Sequence, residues 1–176
     1  MAEERRAAVT LGGNPITLVG PELKAGQAAP DFTAVDTALQ AVELSSARGK
    51  ALVIAAVPSL DTTVCDTEIR RFNLEAAQLS GVEIWTLSMD LPFAQKRWCG
   101  AAGVDVVRTL SDFRDRAFGP AYGVLIKTGA LAGLHTRAVF VVGQDGRLTH
   151  VEYVKEIATE PDYAAALAAA RKAAGG

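Results

Sequence analysis

Apolar residues along this chain fall into short runs whose period switches between that of a strand and that of a helix. Ala51 to Val57 is an unbroken apolar run, the pattern of a strand buried on both faces in a parallel sheet. Pro58 ends it, Thr62 or Thr63 can cap a helix, and Ile69, Phe72, Leu74, Ala76 and Leu79 then keep an approximately helical spacing up to Ser80-Gly81. Val82 to Leu87 reads as the next strand. The three segments predict a strand, helix, strand crossover whose helix starts at the carboxyl edge of the sheet.

On either side the periods are shorter. Val9 to Leu11 and Ile16 to Leu18 flank Gly12-Gly13-Asn14-Pro15, which predicts an N-terminal β-hairpin, and Phe32 to Asp36 and Ala41 to Leu44 read as short strands. Beyond the crossover, the spacing predicts a short helix around Ala94 to Cys99, a strand near Val106 to Leu110 and a helix near Phe113 to Tyr122. Arg137 to Val142 and Arg147 to Val154 are strands joined by Gln144-Asp145-Gly146, a hairpin signal that gives the sheet an antiparallel edge. Pro161 can start a last, alanine-rich helix from Asp162 to Ala174, and Gly175-Gly176 is expected to be disordered. This order predicts an α/β, thioredoxin-like fold: a central mixed β-sheet flanked by helices, with an N-terminal β-hairpin, in one domain over residues 1–176.

Composition narrows the function. With 49% hydrophobic residues in 176, the chain can bury one sizeable core. Its 18 basic and 20 acidic residues give a net charge of -2 with no basic stripe, so no nucleic acid partner is expected. No apolar stretch approaches the roughly 18 residues needed to span a bilayer, and Met1 to Arg6 has no apolar signal core behind it. No membrane partner and a cytoplasmic location are therefore expected, a compartment where disulfides are rare unless catalytic or redox-sensing. Two cysteines and two histidines without zinc-type spacing make a metal site improbable, and there is no P-loop or dinucleotide fingerprint.

Cys65 then carries the chemistry. It follows the buried strand at what the pattern makes the first turn of a helix, where the helix dipole and free N–H groups favour thiolate over thiol. A thioredoxin-type reductase would place a second cysteine three positions on, but the run is Cys65-Asp66-Thr67-Glu68. Pro58, Thr62 and Cys65 instead match Pro-x-x-x-Thr-x-x-Cys, and with one distant arginine the chain resembles the peroxiredoxin superfamily. The resemblance extends through Ala29-Pro30-Asp31-Phe32, Asp90-Leu91-Pro92-Phe93-Ala94-Gln95, Cys99-Gly100, Ala121 to Val124, Arg137-Ala138-Val139 and Thr159 to Tyr163, which are similar to the thiol peroxidase subgroup of atypical two-cysteine peroxiredoxins.

That resemblance implies specific roles. Cys65 would be the peroxidatic cysteine and Cys99 the resolving one, forming an intramolecular disulfide recycled by thioredoxin. Arg137 would hold the thiolate and orient a peroxide oxygen through its planar fork of donors. Thr62 would donate to and accept from the peroxide, and Pro58, lacking an N–H, would shape and shield the pocket. It also implies a homodimer, peroxide substrates with organic hydroperoxides preferred over hydrogen peroxide, and no cofactor. If Cys65 starts in a peroxide-sized pocket and Cys99 on a separate short helix, local unfolding is expected in each cycle, and Trp98 would report it.

Read without the family, these residues are plainer. Cys65 and Cys99 are small apolar fillers, Arg137 is a solvated charge at a strand start, and Thr62 is a helix cap. His135 is expected at the surface, and Asp61, Asp66 and Glu68 read as first-turn acids that favour the helix dipole. Trp85 is expected to pack in the core, while Trp85 and Phe93 could also line a groove for an organic peroxide. A peroxide sensor using the same thiol, and a binding or holdase module with an inert cysteine, are the alternative functions.

Overall fold

The N-terminal hairpin forms from β1 (Glu4–Leu11) and β2 (Asn14–Val19), with Gly12 and Gly13, both at positive φ, as its two turn residues. β3 (Thr33–Asp36) and β4 (Ala41–Glu43) follow, then a 3-10 turn, Leu44–Ala47, which takes the residue expected to end the strand. Next come β5 (Ala51–Ala56), α1 (Thr63–Ala76), β6 (Val82–Ser88), α2 (Pro92–Ala102) and β7 (Arg108–Ser111). The chain closes with α3 (Phe118–Ala121), β8 (Leu125–Ile126), β9 (Ala138–Val142), β10 (Leu148–Tyr153) and α4 (Tyr163–Ala173). This computed structural model describes residues 3–175; Met1, Ala2 and Gly176 lie outside it, and with Gly176 half of the expectation for the last two glycines. Gly175 continues the end of α4, its N–H donating to the Lys172 carbonyl.

All six residues of β5 are buried, as an unbroken apolar run requires of a strand covered on both faces. Leu52, Ile54 and Ala56 face a core of Phe32, Trp85, Phe118, Tyr122 and Phe140. Val53, Ala55 and Val57 face the other side, against Cys65, Ile69, Phe72 and Ala76 of α1 and Ala166, Leu167 and Ala170 of α4. Each large side chain so buried contributes about 1.5–3 kcal/mol. Residues 65, 69, 72 and 76 are the inward stripe of α1; Leu74, expected on it, points away and is 69% exposed.

The main sheet has seven strands in the order β10-β9-β5-β6-β7-β3-β4. β5, β6 and β7 are parallel. The predicted hairpin β9-β10 adds an antiparallel edge beside β5, and β3 pairs antiparallel with both β7 and β4, so the opposite edge is antiparallel too. This is the thioredoxin-like layout. A separate three-stranded sheet, β1-β2-β8, carries the hairpin. The two-residue β8 is too short to leave a periodic signal in the sequence. Among the described residues, no helix is long and apolar enough to cross a membrane.

Two helices differ from expectation for local reasons. α2 is longer than its apolar pattern because Pro92 occupies its first position and Gly103, at φ 66, ends it in the left-handed conformation. The helix expected from Phe113 is reduced to the single turn of α3. Asp112 takes the N–H groups of Phe118 and Gly119 (3.1 and 3.0 Å), and Arg116 adopts φ 51, which a continuous helix does not allow.

Candidate active site

The register of the sheet assembles the site. β9 runs antiparallel to β5 with Ala138 opposite Ala56, so the residue before β9 lies at the carboxyl end of β5, where α1 begins. That residue is Arg137. It follows the alternation of Val139 and Val141, which face α1, so its side chain reaches the first turn of that helix. Cys65, the third residue of α1, is fully buried there, and Arg137 is 1% exposed.

Each nitrogen of the guanidinium has a partner. Nη2 donates to Cys65 Sγ at 3.3 Å, Nη1 to the Glu68 carboxylate, and Nε to the Ile157 carbonyl at 3.0 Å. Burial alone would weaken the hold of Arg137 on its proton, but the neighbouring Glu68 and Cys65 raise its pKa, so the cation is secure. Glu68 is fully buried, and burial raises its carboxyl to about 7 despite Arg137 beside it; Glu152 and Glu160 push the same way. Among the described residues, its second oxygen, Oε1, has no hydrogen-bond partner. The expectation of Glu68 as a dipole-facing acid is thus corrected: it lies on the inward face of α1, three residues after Cys65 and one before Ile69. That placement was the available signal.

The loop ahead of α1 is held from below. The Asp90 carboxylate accepts from Ser59 Oγ, the Leu60 N–H and Ser88 Oγ, each at 2.8 Å, and Pro58 is buried. Asp90 belongs to the segment quoted for the family but had no role assigned from sequence. Thr62 is the residue before α1, yet its side chain does not cap the helix. Its hydroxyl donates to the Ser59 carbonyl at 3.1 Å, closing the turn, and the residue is exposed.

Cys65 and Cys99 are both free thiols in this conformation. Cys99 is half-buried on α2, hydrogen-bonded to Thr109 Oγ1 at 3.4 Å, and it lines a groove of about 300 Å³ with Lys96, Arg108 and Asp36. Burial raises the Cys99 thiol, an effect that Thr109 partly offsets. The structure therefore brings Cys65 and Arg137 together, with Pro58 and Thr62 in the adjoining turn, and leaves Cys99 elsewhere. Trp85 is in the core, as expected, and Phe93 is 66% exposed.

His135 is the other correction. It is completely buried rather than at the surface, with Nε2 3.0 Å from Asp112 Oδ2 and its ring edge-on to Phe118. The partner that makes this burial tolerable is 23 residues away in sequence, which composition and spacing do not reveal.

A sulfur sealed from water under a permanent cation, with no second cysteine one helical turn on, can support thiol redox chemistry at a single attacking cysteine. Comparison with known proteins makes the class specific. The family model described as Redoxin matches residues 24–167. A thiol peroxidase of Halalkalibacterium halodurans is 51% identical over 167 residues, which cover 95% of this chain and 99% of that one. A thiol peroxidase of Bacillus subtilis is 48% identical over 165 residues, covering 94% and 97%. The crystal structure of a peroxiredoxin-like protein from Aquifex aeolicus matches with a TM-score of 0.90 at 45% identity, over 96% of this chain and 98% of the other. The chain belongs to the redoxin family, among the peroxiredoxins of the thiol peroxidase type.

Proposed function

We propose that Cys65 is the peroxidatic cysteine of this chain and Cys99 its resolving cysteine, in a peroxidase recycled by thioredoxin. The family supplies the reaction class, thiol-dependent reduction of peroxides. The observation that carries the residue assignment is the 3.3 Å contact from Arg137 to the buried Cys65 sulfur. The thiolate attacks one peroxide oxygen, the O–O bond breaks, and the other oxygen leaves with the electron pair and takes up a proton as water or an alcohol. Cys65 is left as a sulfenic acid. Arg137 supports the sulfur anion before the reaction and the departing oxygen during it. Thr62 exchanges its bond to Ser59 for one to the peroxide, and Pro58 keeps water from the sulfur.

The Cys99 sulfur then displaces hydroxide from Cys65, which leaves as water with the Cys99 proton, and the dithiol of thioredoxin reduces the resulting disulfide. The reading extends to hydrogen peroxide and organic hydroperoxides as substrates with the organic ones preferred, to a homodimer, and to a cytoplasmic, single-domain protein. Peroxide-dependent oxidation of NADPH through thioredoxin reductase and thioredoxin is expected for the wild type and is lost in Cys65→Ser. Full turnover in that variant would remove Cys65 from the reaction. On a non-reducing gel the peroxide-treated protein is expected to run as a monomer; a covalent dimer would assign Cys99 to the partner chain.

A further inference from the structure

The two sulfurs rest on opposite parts of the sheet. Cys65 Sγ lies under Arg137 at the head of β9, and Cys99 Sγ lies beside Thr109 on β7. β5 and β6 stand between those strands, three spacings or about 14 Å in all. A disulfide needs the two Cα atoms within about 7 Å. On the reading of Cys99 as the resolving cysteine, the segment that carries one sulfur must therefore leave its place before the bond can form.

The two halves of α2 are held differently. Near its start, the fully buried Gln95 donates to Ser88 Oγ (3.1 Å) and the Leu110 carbonyl (2.9 Å), which ties this end to the sheet. From Trp98 onward, apart from the Cys99 bond to Thr109, the polar contacts described run to α1 instead. The Trp98 indole N–H donates to Asp66 Oδ1 at 3.1 Å, and Arg70 Nε donates to Asp66 Oδ2 at 2.8 Å. Arg70 Nη1 donates to the Ala102 carbonyl at 2.8 Å, with its guanidinium 5.8 Å from the Trp98 ring centre. Past the helix, Asn73 Oδ1 accepts the N–H groups of Val106 and Val107 at 2.9 and 3.0 Å. Residues 66, 70 and 73 are spaced i, i+4, i+7 and form one stripe along the helix that carries Cys65. Trp98, Val104 and Val107 add apolar contacts to the same cluster. Among the described residues, release of Cys99 must break its own bond to Thr109 and the contacts of Trp98, Ala102, Val106 and Val107, and the latter end on those three residues.

We propose that Asp66, Arg70 and Asn73 form a latch that sets how often the Trp98 to Val107 segment detaches, and so how fast Cys99 reaches the Cys65 sulfenic acid. They are positioning residues and touch neither peroxide nor sulfur. The latch thereby sets the competition between two fates. In one, Cys99 closes the disulfide and water leaves; in the other, a second peroxide oxidises the sulfenic acid to sulfinic acid and is itself reduced to water or an alcohol. Both partners of the Asp66–Arg70 pair are partly exposed, so each contact is of the modest kind that gives way repeatedly without unfolding the core.

The test mixes the reduced protein with one equivalent of hydrogen peroxide, quenches in acid at intervals, and follows sulfenic acid and intrachain disulfide by mass spectrometry. Asp66→Ala and Asn73→Ala are expected to form the disulfide about fivefold faster than the wild type. The peroxide concentration that converts half of Cys65 to sulfinic acid rises with it. Oxidation of Cys65 itself, measured in a Cys99→Ser background, stays within about twofold, which a general structural defect would not spare. Trp98→Phe keeps the packing and removes the indole donor, so it provides the same reading if an alanine variant does not fold. Wild-type resolution rates in all three variants would overturn the latch alone. Failure of the wild type to form a Cys65–Cys99 disulfide would overturn the resolving role and the latch with it.

Discussion

Burial and a neighbouring guanidinium act on Glu68 in opposite directions, and burial prevails: the carboxyl is raised from 4.5 to about 7. A group whose pKa is higher folded than unfolded binds its proton more tightly in the fold. Its stabilisation is complete below about 4.5 and is lost as pH rises through about 7, by on the order of 3 kcal/mol for a fully buried group. Glu68→Gln keeps a side-chain oxygen for Arg137 and removes the titration. Urea unfolding is therefore expected to show the wild type losing stability relative to this variant between pH 4.5 and 7, and parallel curves across that window would show that Glu68 does not titrate there. The residue also marks where a motif stops being informative. Pro58, Thr62 and Cys65 lie within eight positions and are recognisable together, and Arg137 follows once the family is recognised. Glu68 looks the same in sequence whether it faces water or Arg137, and only its place on the inward stripe of α1 separates the two.

At the scale of elements, the strands were legible where burial was two-sided or a turn was explicit, as in β5 and the β9-β10 hairpin. Helix ends were not, because side chains from other elements define them: Asp112 shortens α3, and Asn73 keeps Val106 and Val107 out of β7 by occupying their N–H groups. The end of α2 is set by its own Gly103, at φ 66 with open space where a Cβ would stand. Gly103→Ala is thus a purely conformational change, expected to cost about 1 kcal/mol. Its effect should be local. Alkylation of Cys99 by a thiol reagent is expected to speed up while that of Cys65, inside the core of α1, keeps its wild-type rate. Unchanged protection of Cys99 would mean that the last turn of α2 holds without its glycine.

Across the whole molecule, the N-terminal hairpin is joined to the site through the segment after β10. The Thr10 N–H donates to the Lys155 carbonyl and the Ile157 N–H to the Thr10 carbonyl, at 2.7 and 2.9 Å, while Glu156 accepts from Thr10 and from the two turn glycines. The carbonyl of Ile157 is the one that receives Arg137 Nε. The hairpin is seated in turn at Gly20, where Arg5 Nε donates to the carbonyl and the backbone passes so close to Gly123 that a Cβ would lie 2.0 Å from the Pro120 oxygen. Backbone on both sides leaves no flexible side chain to yield. Gly12, at φ +57 in the hairpin turn, faces open space, so it isolates the cost of conformation from that of contact. Gly12→Ala is expected to cost about 1 kcal/mol and Gly20→Ala about 3 kcal/mol or more in urea unfolding. Gly20→Ala should also speed hydrogen exchange at the Thr10 and Ile157 amides and slow the oxidation of Cys65, because the carbonyl that steadies Arg137 shifts with them. Equal costs at the two glycines, with Cys65 oxidised at the wild-type rate, would mean that the hairpin moves as a separate flap and that Arg137 is held by Glu68 and the sheet alone.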